Sequence, residues 1–144
     1  MPVKNPPAGY HSVSPYLTVT DVAKLIEFLQ VVFDATVVER MTRPDGRVGH
    51  CEVRIGDSIV MMGEPQDPSK ARPSNLYVYV LDVDSTYRRA LAHGAQADRE
   101  PADQFYGDRS GSFIDASGNL WWVATHKEDV SPEEIQRRAK QAQG

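Results

Sequence analysis

The chain has 144 residues, 40% of them hydrophobic and 25% charged, with a formal net charge of −4 at pH 7. This is enough chain for one continuous core, too apolar for disorder, and without the basic stripe that nucleic acid requires. Cys51 is the single cysteine, so an internal disulfide and a thiol-rich metal site are excluded. No apolar run approaches the roughly 20 residues of a membrane-spanning helix, and a cytoplasmic protein with neither nucleic-acid nor membrane partner is expected.

Residues before about 12, rich in Pro and Gly, read as a loosely held arm. A strand is predicted over residues 13–19, with Pro15 confining it to an edge or bulge. Asp21 is placed to cap a helix whose Leu25, Ile26, Leu29, Val32 and Phe33 recur at helical spacing. Extended segments follow at 36–41, 49–55 and 58–62, separated by the turn dipeptides Asp45, Gly46 and Gly56, Asp57. Residues 63–74 carry Pro65, Pro68 and Pro73 and read as a linker.

The pattern then repeats. A strand over 75–81 leads to Asp82 as cap of a second helix, with Val83, Tyr87, Ala90 and Leu91 as its apolar stripe and Gly94 as its stop. Extended segments come at 96–100, 111–115 and 120–125. Ser131, Pro132 and Glu134 form an N-terminal capping signature for a polar tail helix over 131–143, in which Ile135 is almost the only large apolar residue. Residues 17–22 fall on 78–83 with a shift of 61, and the pairs Arg47, Gly49 and Gly56, Asp57 fall on Arg109, Gly111 and Gly118, Asn119 with a shift of 62. A long period occurring twice points to a duplicated βαβββ module in an α+β fold.

Particular stretches sharpen this. Residues 10–17, 46–56, 103–111 and 122–134, together with Gly107, Arg109, Phe113 and the run Asp115, Gly118, Asn119, resemble the vicinal-oxygen-chelate (glyoxalase/bleomycin-resistance/dioxygenase) superfamily, in its PhnB-like branch. The resemblance runs from about residue 11 to 126. It implies one domain over 1–144, with module one at 11–63, a linker at 64–74 and module two at 75–126. The two tandem modules would form a curved mixed sheet around a concave cavity, with a C-terminal surface helix. It does not imply one reaction, because the superfamily hosts lyases, dioxygenases, epimerases, thiol transferases and drug-binding proteins. A ubiquinone-pathway methyltransferase, a label common in this branch, is not expected, because the chain has no glycine-rich strand-to-helix nucleotide loop.

Metal-dependent members place a His, Glu or Gln on the first and last strand of each module. The matching positions here are Ser14, Val60, Asn75 and Trp122, which are poor ligands or none. No metal and no cofactor are expected. Strand alternation places Cys51, Val53 and Ile55 toward the helices, and His50, Glu52 and Arg54 on the opposite face. By the same rule Leu17, Val19, Ile59, Met61, Leu76, Val78, Val80, Trp121 and Val123 face the helices. Ser14, Tyr16, Val60, Met62, Asn75, Tyr77, Tyr79, Ser112, Ile114 and Trp122 face the open side.

An aromatic face with sparse polar groups suits a small planar ligand. The expected function is therefore metal-independent small-molecule binding, of a sequestering kind, by a homodimer, with Ser14, Tyr16, His50, Glu52, Met62, Asn75, Tyr77 and Trp122 as ligand-binding residues. Two alternatives stay open. One is an enzyme with a displaced metal site or with His50 and Glu52 as acid–base catalysts; the other is a dimeric interaction protein that binds no ligand. His126 has no assigned role, His93 reads as a helix-terminal structural residue, and Asp108 with Arg109 reads as a loop-fixing ion pair.

Overall fold

Asp21 and Asp82 do the same work in the two halves of the chain. In the computed structural model, which describes residues 2–143, each aspartate accepts the backbone N–H three residues on, from Lys24 at 3.1 Å and from Ser85 at 3.2 Å. These bonds satisfy donors that a helix start leaves open. The helices are α1 (Val22–Phe33) and α2 (Val83–Ala92). Helix α1 buries Val22, Leu25, Ile26, Leu29, Val32 and Phe33, the predicted stripe with one addition. Helix α2 buries Val83, Thr86, Tyr87 and Ala90, while Leu91 stays exposed, contrary to its predicted place in the stripe. Gly94 adopts a φ of 96°, the left-handed conformation that lets the chain turn off α2.

The chain divides into two compact units between Ser74 and Asn75, and each is a βαβββ module. The first contains β1 (Tyr16–Thr18), β2 (Thr36–Thr42), β3 (Val48–Ile55) and β4 (Ser58–Gly63), in the order β1-β4-β3-β2. The second contains β5 (Asn75–Tyr79), β6 (Gln96–Asp103), β7 (Asp108–Ile114) and β8 (Leu120–His126), in the order β5-β8-β7-β6. In each, the strand before the helix pairs in parallel with the last strand and the remaining pairs are antiparallel. Each module thus has its own four-stranded mixed sheet. The segment between them contains a short 3-10 turn, Pro68–Lys70.

Strand β1 is shorter than predicted. Pro15 lies just outside it and contributes only its carbonyl, which accepts the Met61 N–H at 2.9 Å. Strand β6 is longer than predicted and runs through Pro101, which an edge strand with register shifts tolerates. Opposite the bulged strand stands Gly111, where an added Cβ would lie 2.9 Å from the Arg99 carbonyl oxygen.

One face assignment needs correction. The two-residue turn at Gly56 and Asp57 sets Ile55 against Ser58, so Val53 opposes Val60, Glu52 opposes Met61 and Cys51 opposes Met62. Directly opposed residues share a face. Val60 and Met62 therefore belong to the helix side, buried with Cys51, Val53 and Leu17, whereas Ile59 and Met61 lie on the other face. The run of residues 59–62 is apolar at every position, so alternation alone could not choose between its faces. In β8 the assignment matches expectation: Trp121 is fully buried with Phe113, and Trp122 lies opposite Ser112.

The predicted signature run at residues 115–119 is a turn whose ends, Asp115 and Asn119, are buried. The Asp115 carboxylate accepts from Ser117 N, Asn119 N, Asn119 Nδ2 and Trp121 Nε1 at 2.8–3.0 Å. The tail helix α3 (Pro132–Gln143) starts with Ser131 Oγ accepting the Glu134 N–H at 3.1 Å. Arg138 ties it to Glu128 and to the Phe105 carbonyl. Among the described residues no helix is long and apolar enough to cross a membrane.

Candidate functional site

On each sheet, the face away from its helix carries one row of side chains that strand pairing sets side by side. In module one the row is Tyr16, Met61, Glu52 and Glu39. In module two it is Tyr77, Trp122, Ser112 and Arg99. Tyr16 and Tyr77 occupy equivalent positions, so the partner of Trp122 in the first module is Met61, not Val60.

The first row carries a hydrogen-bonded chain of titratable groups. His50 Nε2 lies 2.7 Å from Glu52 Oε2, because side chains two apart on β3 share a face. The other carboxylate oxygen accepts from the Tyr10 hydroxyl, which brings the N-terminal segment onto the sheet. The predicted loose arm is thus anchored at Tyr10. Burial pushes the Glu52 carboxyl up, but the bonds from His50 and Tyr10 outweigh it and hold the group below its ordinary value. Facing that ionised carboxylate raises the Tyr10 phenol. His50 Nδ1 lies 3.4 Å from the half-exposed Tyr16 hydroxyl. The Tyr16 and His50 rings lie 5.7 Å apart.

A second cluster centres on Asp108, which is 4% exposed. Its Oδ2 accepts from Tyr77 at 2.7 Å and from Tyr79 at 2.9 Å, and its Oδ1 meets His126 Nδ1 at 2.8 Å. Burial pushes Asp108 up, and the bonds from His126, Tyr77 and Tyr79 pull it below its ordinary value. Burial, with the bond to Asp108, raises the Tyr77 phenol strongly. His126 Nε2 meets Asp129 at 2.8 Å, so both ring nitrogens face carboxylates and both must donate. That arrangement raises the His126 pKa and favours the imidazolium. Asp108 does not pair with Arg109; Arg109 instead forms a bidentate pair with Asp84 on α2, at 2.9 Å for each bond, and a 3.3 Å bond to Asp103. This corrects the expected loop-fixing pair.

Tyr77 also links this cluster to Trp122. Their rings stack at 6.4 Å with an interplanar angle of 18°, and the Arg99 guanidinium lies 5.4 Å from the Trp122 ring centre. Ser110 lies on the same face, one row from Trp122, and its buried hydroxyl has no hydrogen-bond partner among the described residues. A cleft of about 390 Å³ beside Asp108, lined by Asp103, Gln104, Gly107, Asp108, Lys127 and Glu128, is polar and separate in character from the aromatic row.

The predicted residues therefore fall into separate places. Tyr16, His50 and Glu52 come together in module one, and Tyr77 and Trp122 in module two. Ser14 lies just before β1, Asn75 is exposed at the start of β5, and Met62 belongs to the core. Sequence reading missed Tyr10, Asp108 and His126 as cluster members. The signal available for the last pair was their position at opposite ends of adjacent antiparallel strands, where Asp108 opposes His126.

The donor set does not fit the divalent metal that the resemblance implies. Val60 is turned into the core, the corresponding open-face position offers only the Met61 thioether, and Trp122 has no ligand atom. Among the described residues no group of three His, Cys, Asp or Glu side chains is placed to hold a metal ion.

The family model of the Glyoxalase/Bleomycin resistance protein/Dioxygenase superfamily matches residues 10–123. An uncharacterized protein of Mycobacterium bovis is 33% identical over 136 residues, covering 87% of this chain and 90% of its own. Among solved structures, TioX from Micromonospora sp. ML1 is 25% identical with a TM-score of 0.67, covering 80% of this chain and 99% of that one. A PhnB protein from Bacillus cereus shares the fold at 16% identity and a TM-score of 0.65, over 80% of this chain and 99% of that one.

Proposed function

The chain belongs to the Glyoxalase/Bleomycin resistance protein/Dioxygenase superfamily, and on that premise we propose that it binds a small planar or aromatic molecule without a metal ion. The observation that carries this reading is the stacked Tyr77–Trp122 pair on the open face of the second sheet, with Tyr77 43% exposed. Aromatic faces supply affinity through desolvation, and a few polar groups nearby fix orientation. The unpartnered Ser110 hydroxyl is one such group. The residues at the metal-ligand positions support binding rather than metal-assisted chemistry.

A screen of planar molecules, followed by tryptophan fluorescence, tests the proposal. Trp122→Ala should weaken a binder by roughly 1–3 kcal/mol, and a chelator should leave its affinity unchanged. Absence of any binder, or binding that requires an added divalent metal, would reject it.

One observation favours a second reading. The buried Glu52 holds His50 Nε2 at 2.7 Å and turns Nδ1 toward the half-exposed Tyr16, an arrangement suited to a general base. Under that reading, His50→Gln abolishes conversion of a bound molecule while leaving its binding intact.

A further inference from the structure

The cation over Trp122 bears on the chemical class of the ligand, and the argument rests on the small-molecule reading above. Arg99 is exposed on β6, and its neighbour Asp98 is engaged by the Ser112 hydroxyl at 2.7 Å. Among the described residues Arg99 forms no ion pair, in contrast to Arg109 on the adjoining strand, whose fork is occupied by Asp84 and Asp103. Among the described residues no hydrogen bond engages the Arg99 N–H groups, while its Cζ lies 5.4 Å from the Trp122 ring centre, within reach of a cation–π attraction. The guanidinium fork is thus open, and it matches the two oxygens of a carboxylate. The other carboxylate near this row is also engaged: Asp108 takes Tyr77, Tyr79 and His126. An incoming anion would therefore meet one uncommitted cation at the end of a row of aromatic surface.

We propose that the Tyr77–Trp122–Arg99 row takes a planar aromatic carboxylate, with the ring against Tyr77 and Trp122 and the carboxylate on Arg99. Arg99 then sets specificity between an anion and its neutral isostere. It contributes little to binding of the ring itself.

The test compares 2-naphthoate with 2-naphthamide, which has the same ring and no charge, by calorimetry on the full chain. The wild type should bind naphthoate about tenfold or more tightly than the amide. Arg99→Gln should remove that preference and leave the amide affinity unchanged, and raising the salt concentration should weaken naphthoate alone. Equal binding of the two probes by the wild type would overturn the carboxylate assignment while leaving a planar-ligand site in place. A variant that loses both probes equally would also overturn it, because Arg99 would then act through the sheet. Binding of neither probe at millimolar concentration would overturn the assignment together with the reading on which it rests.

Discussion

His126 Nδ1 lies 2.8 Å from the buried carboxylate of Asp108, and the opposite ring nitrogen lies the same distance from Asp129. The pair titrates from both directions. His126 is raised above its ordinary value of about 6.5, so its contribution to stability is complete below that pH and is lost as pH rises through the raised value. Asp108 is lowered, so its contribution is present above about 3.9 and is lost as pH falls through the depressed value. Unfolding followed between pH 6 and 9 should show a loss of stability that His126→Asn abolishes. An NMR titration placing His126 at or below 6.5 would contradict the imidazolium assignment.

Trp121 and Trp122 should separate stability from binding. Trp121 is fully buried and donates to Asp115, so Trp121→Ala should cost roughly 3–5 kcal/mol by urea unfolding. Trp122→Ala should cost far less. The reverse order would mean that β8 is out of register by one residue.

Gly107 has a φ of 104°, and an added Cβ would lie 2.2 Å from the Glu128 carbonyl oxygen. Its own carbonyl accepts from Lys127 at 2.8 Å and from Glu128 at 3.2 Å, so the turn cannot relax without breaking these bonds. Gly107→Ala should cost about 2 kcal/mol or more, combining the left-handed conformation with the clash. A melting temperature equal to that of the wild type would show that the turn is looser than it stands.

Much of the fold was legible because each element carries its own local signal. Asp21 and Asp82 announce their helices, Gly94 ends one, and Ser131 with Glu134 starts the tail. The β4 face was less legible because Ile59, Val60, Met61 and Met62 offer no polar contrast, although the turn at Gly56 and Asp57 fixes their register. In the site, His50 with Glu52 could be read from spacing along one strand. The Tyr77–Asp108–His126 cluster could not, because its members come from three strands and their meeting depends on pairing register. Tyr10 was hidden for a related reason: its partner Glu52 lies 42 positions away in sequence.

Tyr10→Phe should release the N-terminal segment. It removes the donor to one Glu52 oxygen, and the cost should be about 1–3 kcal/mol, since a buried carboxylate loses a bond. Hydrogen exchange should quicken at Tyr10, whose N–H donates to the Pro7 carbonyl, and stay unchanged in α2. Uniform quickening through the whole chain would point to global destabilisation instead.

We also expect a homodimer. Strand β2 lies at a sheet edge and leaves Val37, Val38 and Met41 exposed, a combination that isolated edges avoid. Light scattering at tens of micromolar should return twice the chain mass, and Val38→Lys should shift it toward the monomer. A monomer mass for the wild type would reject the expectation.

The two open-face rows stand at matching addresses on matching frames, yet one reads Tyr, Met, Glu, Glu and the other Tyr, Trp, Ser, Arg. Only the tyrosine is shared. Helix caps and strand order are alike in both halves, whereas the rows differ at three of four positions, of which Glu52 and Ser112 are buried and Met61 and Arg99 are not. Duplication of this kind gives a protein two copies of one frame on which different side chains can be carried. Exchanging the less buried row positions, as in Met61→Trp or Arg99→Glu, would alter the open face while leaving the buried Glu52 and Ser112 in place.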